Sequence, residues 1–167
     1  NGDLVTNFDY DIENFINAEI KKNYPNFDII SEEFNNNGAL TDNCFTVDPI
    51  DGTINFAHKF PLWAIQIACI KNGKTCASVI YLPMMKEMFW ADETGAYLND
   101  EKIEVSNLPV EKGLFVVEGR NILPSLVRMN KFNKNFRATY CSAVNFAYVA
   151  SGVFGGTIFR HENLWDY

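Results

Sequence analysis

The sequence has little of what several common classes of functional site require. The chain has two histidines and four cysteines. No two cysteines form a CxxC pair, and the histidines and cysteines lack the spacing of zinc ligands, so a zinc finger is excluded. Basic residues are few, with 14 Lys and Arg against 21 Asp and Glu and a formal net charge of -7. Because neutralising nucleic-acid phosphates needs clustered basic side chains, we expect no direct binding to nucleic acid.

Long apolar runs are also absent. No stretch approaches the roughly 20 apolar residues that cross a bilayer, and the first residues lack the basic start and apolar core of a secretory signal. We therefore expect a cytoplasmic protein without a membrane partner. The chain has 167 residues, of which 47% are apolar, and this predicts a single domain over residues 1–167.

Apolar spacing and turn residues predict an α+β fold. A helix is expected from residue 5 to about 24, with Thr6 as its N-cap and Pro25 as its stop. Short strands are expected at 27–30 and 44–47, the second ended by Pro49, which has no N–H for a β-ladder. A loop is expected at 35–43. Asn72-Gly73 between the β-rich runs 62–71 and 74–82 predicts a tight hairpin.

The second half of the chain continues this mixed pattern. Its predicted strands are 87–91, 96–98, 114–118 and 138–141, and its predicted helices are 122 to about 133 and 143–151, the latter closed by Gly152. Gly155-Gly156 is expected to be a turn. The hairpin also places Cys69 opposite Cys76, and we expect this pair to be reduced.

The segment Asp48-Pro49-Ile50-Asp51-Gly52-Thr53 holds the strongest candidate for chemistry. Two carboxylates about 4 Å apart repel by about 4 kcal/mol at an effective dielectric near 20, and a cation removes this repulsion. Oxygen ligands without Cys or His select Mg²⁺ or Mn²⁺. The competing interpretation is that the two aspartates only cap a turn, and the residues alone leave both open.

The residues after this segment point to an anion. If 54–56 open a helix, the backbone N–H groups of Gly52 and Thr53 lie at its positive end, where a phosphate is favoured. Carboxylates and phosphate then meet in one place, which again calls for divalent cations. A pair of such ions suits in-line displacement at phosphorus.

The segment from Asp48 to Phe56 is similar to the D-P-[IL]-D-G-T-x-N-F signature of the inositol monophosphatase family. Three flanking segments agree with that resemblance, which covers almost all of the chain. They are Ser31-Glu32-Glu33 for the family's G-E-E, Trp165-Asp166 for its W-D, and Val5-Thr6 with Asp9 for its V-T-x-x-D. The resemblance implies a layered αβαβα sandwich, present here mostly as the N-terminal antiparallel sheet with its helices, and truncated in the C-terminal α/β half.

The resemblance also implies an activity: a Mg²⁺-dependent, lithium-sensitive phosphomonoesterase, homodimeric, acting on inositol monophosphate or a related small sugar or polyol phosphate. It implies two or three Mg²⁺ ions, with Mn²⁺ as a substitute. The implied ligands are Glu32, Asp48 and the Ile50 carbonyl for one ion, and Asp48, Asp51 and Asp166 for another. Thr53, oriented by Asp9, and Glu32 would then contact the attacking water. The implied substrate contacts are the amides of Gly52 and Thr53 for the phosphate, and Ser142, for which an N-cap role is the competing interpretation.

Some features depart from the family pattern. Phe159 stands where inositol-hydrolysing members carry an acid that grips the ring hydroxyls, and Glu162 replaces that acid only if the local geometry is shifted. Inositol 1-phosphate is therefore weakened as the substrate. The alternatives are a fructose-1,6-bisphosphatase or nucleotide-3′-phosphatase specificity, or a non-catalytic partner of the bacterial transcription machinery. We also expect the chain to be a fragment of a longer protein, since family members extend beyond both of its ends.

Overall fold

Residues 6–35, 37–118, 123–159 and 163–166 are described by the computed structural model of the chain. Within these residues the chain forms four α-helices and ten β-strands. The helices are α1 Asn7–Asn23, α2 Thr53–Ala57, α3 Leu123–Met129 and α4 Ser142–Ala150, and a short 3-10 helix spans Val110–Lys112. The strands are β1 Asp28–Ser31, β2 Asn43–Asp51, β3 Ala64–Lys71, β4 Lys74–Leu82, β5 Glu87–Asp92, β6 Gly95–Leu98, β7 Glu101–Lys102, β8 Phe115–Val117, β9 Phe136–Arg137 and β10 Gly156–Ile158.

The main sheet contains β1 to β7 in chain order. β1 runs parallel to β2, and each later pair is antiparallel. The predicted hairpin is confirmed, since Asn72 and Gly73 join β3 to β4 with φ angles of 53° and 71°. Positive φ at both loop residues gives the backbone the twist that a two-residue hairpin needs.

β2 is longer than the sequence predicts. It continues through Pro49 to Asp51, so the expectation of a strand ended by Pro49 is wrong. The register between β2 and β3 shifts between Asp48 and Asp51, and Pro49 lies in this irregular part. A bulge needs no ladder hydrogen bond from its extra residue, which is why proline is tolerated there.

Helix and strand ends differ elsewhere. The N-cap at Thr6 is confirmed, with a capping box to Asp9. The predicted strand at 138–141 is wrong, because Tyr140 has a φ of 54° and the strand β9 lies earlier in the chain. β10 replaces part of the turn expected at Gly155-Gly156. α3 is shorter than predicted, and residue 122 lies outside the described residues.

The layers follow the order α1, main sheet, α4, second sheet. Ile20 of α1 packs on Phe45 and Val47 of β2, on one face of the main sheet. On the other side of this sheet, residues of β3, β4, β5 and α4 share one buried cluster: Ala64, Leu82, Phe89, Cys141, Ala143, Val144 and Ala147. α4 also contacts β10 of the second sheet, in which the order is β10-β8-β9 and both pairs are parallel. This packing brings the start of α4 to the end of β2.

Two further expectations concern the cysteines and the membrane. Cys69 pairs with Ala77 rather than with Cys76, which is the extra residue of a bulge in β4. The thiols of Cys69 and Cys76 nevertheless contact each other, and both are free. Among the described residues, no helix combines the length and the apolar character that a bilayer crossing needs.

Candidate metal centre

Carboxylates from two distant parts of the chain converge at the end of β2. Asp48, Asp51 and Asp166 each place a side-chain oxygen within 4.8 Å of the others. Asp48 and Asp166 are buried, with exposed fractions of 2% and 6%, and Asp51 is partly buried. The two aspartates of the signature therefore meet the aspartate of the W-D segment, as the resemblance implies.

Glu32 joins this group through the parallel pairing of β1 and β2, which sets Ser31 beside Val47. Its carboxyl is hydrogen-bonded to the side chain of Asp48. Burial, and then the charges of nearby acids that include Asp166 and Asp51, raise the pKa of Glu32 to about 8, although the bond to Asp48 acts in the opposite direction. Burial also raises the pKa of Asp48 well above its usual range, with further repulsion from Asp51, Glu32 and Asp166. The four acids are therefore close enough to oppose one another's ionisation.

The start of α4 holds Asp51. The backbone N–H of Ala143 donates to Asp51 Oδ2 at 2.5 Å, and the thiol of Cys141 donates to the same oxygen at 3.3 Å. Cys141 is the N-cap of α4 and Ser142 is its first residue, so the N-cap interpretation of Ser142 is wrong. Ser142 itself is buried.

The other aspartates accept hydrogen bonds from neutral groups. Asp166 Oδ2 accepts the backbone N–H of Asn163 at 2.6 Å, and Gln66 Nε2 lies 3.5 Å from Asp48 Oδ2. The second oxygen of Asp48, Oδ1, is buried without a partner. Leaving a buried carboxylate oxygen unpaired is costly, and a hard divalent cation removes that cost. This donor set, made of oxygens alone, fits Mg²⁺.

Thr53 and Asp9 have other partners than the resemblance implies. Thr53 Oγ1 donates to the carbonyl of Ile50 at 3.0 Å. Asp9 Oδ2 accepts the N–H and the hydroxyl of Thr6 at 2.7 and 2.5 Å, in the capping box of α1. Asp9 Oδ1 is buried without a partner and remains an acceptor for a further hydroxyl. The expected bond between Asp9 and Thr53 is thus not made in this arrangement.

Gly52 has a backbone that a larger residue would not tolerate. Its φ is 84°, and a Cβ there would lie 3.1 Å from the carbonyl oxygen of Leu62 and 3.1 Å from Cys141 Cβ. Asn55 of α2 donates its side-chain amide to the carbonyls of Leu62 and Thr139 at 2.6 and 2.7 Å. These contacts fix α2, which begins at Thr53, against the loop before α4.

Sequence reasoning missed several residues that support this site. Glu13 accepts backbone N–H groups from the turn that carries Glu32, and its only signal was its position one helical turn after Asp9. Cys141 and the Ala143 amide gave no local signal at all, because they meet Asp51 from about 90 positions away in the chain. Phe159, by contrast, packs edge to face on Phe146 with ring centroids 5.5 Å apart. Glu162 lies outside the described residues.

Comparisons with known proteins give matches along nearly the whole chain. A sequence model described as Inositol monophosphatase family matches residues 1–167. The chain is 34% identical over 174 residues to a Thermotoga maritima protein named fructose-1,6-bisphosphatase/inositol-1-monophosphatase, covering 98% of this chain and 65% of that protein. It is also 34% identical over 181 residues to the Nus factor SuhB of Escherichia coli K12, covering 99% of this chain and 66% of the relative.

A solved structure gives the same result for the fold. The Thermotoga maritima IMPase superposes with a TM-score of 0.90 at 33% identity, covering 98% of this chain and 65% of that chain. The chain therefore spans 65 to 66% of the length of these relatives.

Proposed function

Since the chain belongs to the inositol monophosphatase family, we propose that it carries the metal centre of a Mg²⁺-dependent phosphomonoesterase. The observation that carries this proposal is the convergence of Asp48, Asp51 and Asp166 within 4.8 Å, with Glu32 bonded to Asp48. Such a group of acids is unfavourable beside a phosphate unless cations are present. The substrate class is a small phosphorylated sugar or polyol.

The carboxylates divide between two ions in this proposal. Glu32, Asp48 and the Ile50 carbonyl would hold one ion, and Asp48, Asp51 and Asp166 would hold the other, with Mn²⁺ as a substitute for Mg²⁺. When bound, these ions supply a Lewis acid for the phosphoryl oxygens and lower the pKa of water. Asp48 is suited to serve both ions because its Oδ1 is buried without a protein partner.

The protein's own groups orient the reactants. The amides of Gly52 and Thr53 donate to phosphate oxygens. The backbone at Gly52 needs glycine, because a Cβ there would crowd the carbonyl oxygen of Leu62 and the side chain of Cys141. The Thr53 hydroxyl is the proposed group that orients the attacking water, and it would do so by exchanging the Ile50 carbonyl for the unpaired Oδ1 of Asp9. Glu32 contacts the same water. Ser142, which lies beside the α4 residues that contact Asp51, is the proposed contact to the sugar.

Phe159 bears on the choice of substrate. Its ring packs on Phe146 and offers no acceptor for ring hydroxyls. Inositol monophosphate or a related small sugar or polyol phosphate stays the proposed substrate, and fructose 1,6-bisphosphate is the alternative, since the Thermotoga maritima relative is named for both activities. A nucleotide 3′-phosphate is the remaining alternative. Inhibition by lithium, a homodimeric state and a cytoplasmic location complete the proposal.

A second candidate function is a non-catalytic partnership with the bacterial transcription machinery. It is favoured by one observation, the 34% identity to a relative named Nus factor SuhB. A pull-down with the Asp48→Asn protein separates the two functions, because a binding role independent of metal survives that substitution and phosphatase activity does not.

Phosphate release from a panel of monoesters tests the catalytic proposal. We expect turnover of fructose 1,6-bisphosphate and of at least one sugar or polyol monophosphate in Mg²⁺, and none above background after EDTA. Adding back Mn²⁺ restores activity, since both ions prefer oxygen ligands. Equal turnover with and without divalent ions contradicts the proposal. If only the nucleotides in the panel are hydrolysed, the substrate class is a nucleotide phosphate and not a sugar phosphate.

A further inference from the structure

Glu13 lies in the middle of α1, one helical turn after Asp9, and it is fully buried. Its Oε2 accepts the backbone N–H of Glu33 at 2.9 Å, and its Oε1 accepts that of Phe34 at 3.0 Å. The side-chain amide of Asn17 lies 3.4 Å from Oε1. Burying a carboxylate is unfavourable unless it is hydrogen-bonded. The position of Glu13 is therefore set by these donors.

The donors belong to the turn that follows β1 and carries Glu32. The N–H of Glu32 donates to the carbonyl of Val47, and the N–H of Asn35 donates to the carbonyl of Ser31, both at 3.2 Å. The two amides between them are the ones that Glu13 accepts. The backbone on which the Glu32 side chain stands is thus fixed by β2 on one side and by α1 on the other.

A carboxylate is suited to this task because it offers two acceptor oxygens and no donor. Hydrogen bonds from amides to an ionised acceptor are shorter and stronger than neutral ones. A glutamine at this position would accept one amide and turn its own N–H₂ group towards the other. The geometry thus depends on the acid, and not only on the size of the side chain.

We propose that Glu13 is a positioning residue for the metal ligand Glu32. It contacts neither ion nor substrate, and acts by fixing the two amides that come directly after Glu32. These amides determine the direction in which the Glu32 side chain leaves the backbone towards Asp48. The inference rests on the proposed function, because it assigns Glu32 to an ion.

Two variants and a matched control test this role. In Glu13→Gln we expect the Mg²⁺ concentration for half-maximal activity to rise about 10-fold, within the range typical for partners of metal ligands. Glu13→Ala raises it further, because no acceptor remains for either amide. At saturating Mg²⁺ kcat stays close to that of the wild type, since no group that touches the substrate has changed. Glu19→Gln removes a charge from the exposed face of the same helix and leaves the Mg²⁺ requirement unchanged.

Hydrogen exchange supplies a second measurement that does not depend on activity. The amides of Glu33 and Phe34 are expected to exchange faster in both Glu13 variants than in the wild type and in Glu19→Gln. Calorimetric titration with Mg²⁺ alone gives the affinity of each folded variant directly, and Glu13→Gln decides the outcome if Glu13→Ala does not fold. An unchanged Mg²⁺ affinity in folded Glu13→Gln overturns the role of Glu13. Absence of metal-dependent turnover in the wild type contradicts the proposed function instead, and the titration still tests Glu13.

Discussion

Replacing Asp48 with Asn is expected to stabilise the metal-free protein while abolishing its Mg²⁺-dependent phosphatase activity. Asp48 is 2% exposed, and burial together with Asp51, Glu32 and Asp166 raises the pKa of its carboxyl. At neutral pH the folded chain therefore has to protonate this carboxyl or keep its charge buried beside other acids, and both are unfavourable. The neutral asparagine removes that unfavourable free energy. The gain is expected as a higher Tm in EDTA, at roughly 2–4 °C for each kcal/mol of stability in a chain of this size.

The loss of activity follows from the same change. An asparagine offers one neutral oxygen where two ions need a shared carboxylate. Metal activation contributes several kcal/mol to a phosphoryl transfer, and about 4 kcal/mol corresponds to roughly a thousandfold in kcat/KM. Thermal unfolding in EDTA and phosphate release in Mg²⁺ measure the two effects on the same sample. Asp11→Asn, which removes an exposed acid of α1, is the control and changes neither.

The substitution is expected to raise stability and to lower activity, so its two effects have opposite signs. A variant that loses activity because it is damaged also loses stability. A residue whose charge is unfavourable until a cation arrives gains stability and loses activity together when it is neutralised. If the Asp48→Asn protein unfolds at a lower temperature than the wild type in EDTA, the carboxylates around Asp48 do not destabilise the metal-free protein.

The stability of the metal-free protein is expected to fall as pH rises from about 4.5 to about 8. Glu32 has a pKa of about 8 in the folded chain against a reference value of 4.5. Between these values the unfolded chain has lost the proton while the folded chain keeps it, so the folded state binds more protons. Its free energy of unfolding therefore decreases with pH, by about 1.4 kcal/mol per unit for one proton. Below pH 4.5 this contribution is fully present.

Saturating Mg²⁺ is expected to remove this dependence, because Glu32 is then ionised in both the folded and the unfolded chain between pH 4.5 and 8. The ion binds ionised carboxylates, so its binding releases the proton of Glu32 and becomes tighter up to pH 8. At 100 times its dissociation constant a ligand adds about 2.7 kcal/mol of stability. Urea unfolding at pH 5, 6, 7 and 8, in EDTA and in Mg²⁺, measures both trends. Glu32→Gln is expected to reduce the slope of the EDTA series, while the raised pKa of Asp48 keeps part of it. A wild type equally stable across that series counts against the raised pKa of Glu32.

Local sequence chemistry predicts a good part of the fold. The Thr6 cap, the helical spacing of α1 and the Asn72-Gly73 loop are each specified by a few neighbouring residues, and the structure confirms all three. The residue pattern from Asp48 to Thr53 also predicts the candidate site. Its carboxylates, glycine and hydroxyl come together within six residues, so a strand end and a turn are enough to place them near one another.

The rest depends on tertiary packing. The bulge that lets β2 pass through Pro49 exists because β3 pairs with both sides of it. The hydrogen bond from Ala143 of α4 to Asp51 spans 92 positions and follows from how α4 packs on β3 and β4. Tyr140 takes a positive φ that no propensity of tyrosine predicts. No periodicity in the sequence carries this information.

A crystal structure of the protein soaked in Mn²⁺, with anomalous scattering measured near the manganese edge, tests whether these acids form one divalent-cation site. Anomalous peaks are expected between the carboxylates of Glu32, Asp48, Asp51 and Asp166, with Asp48 contacting more than one ion. A well-ordered crystal in which these four carboxylates hold no peak at saturating Mn²⁺ contradicts this expectation.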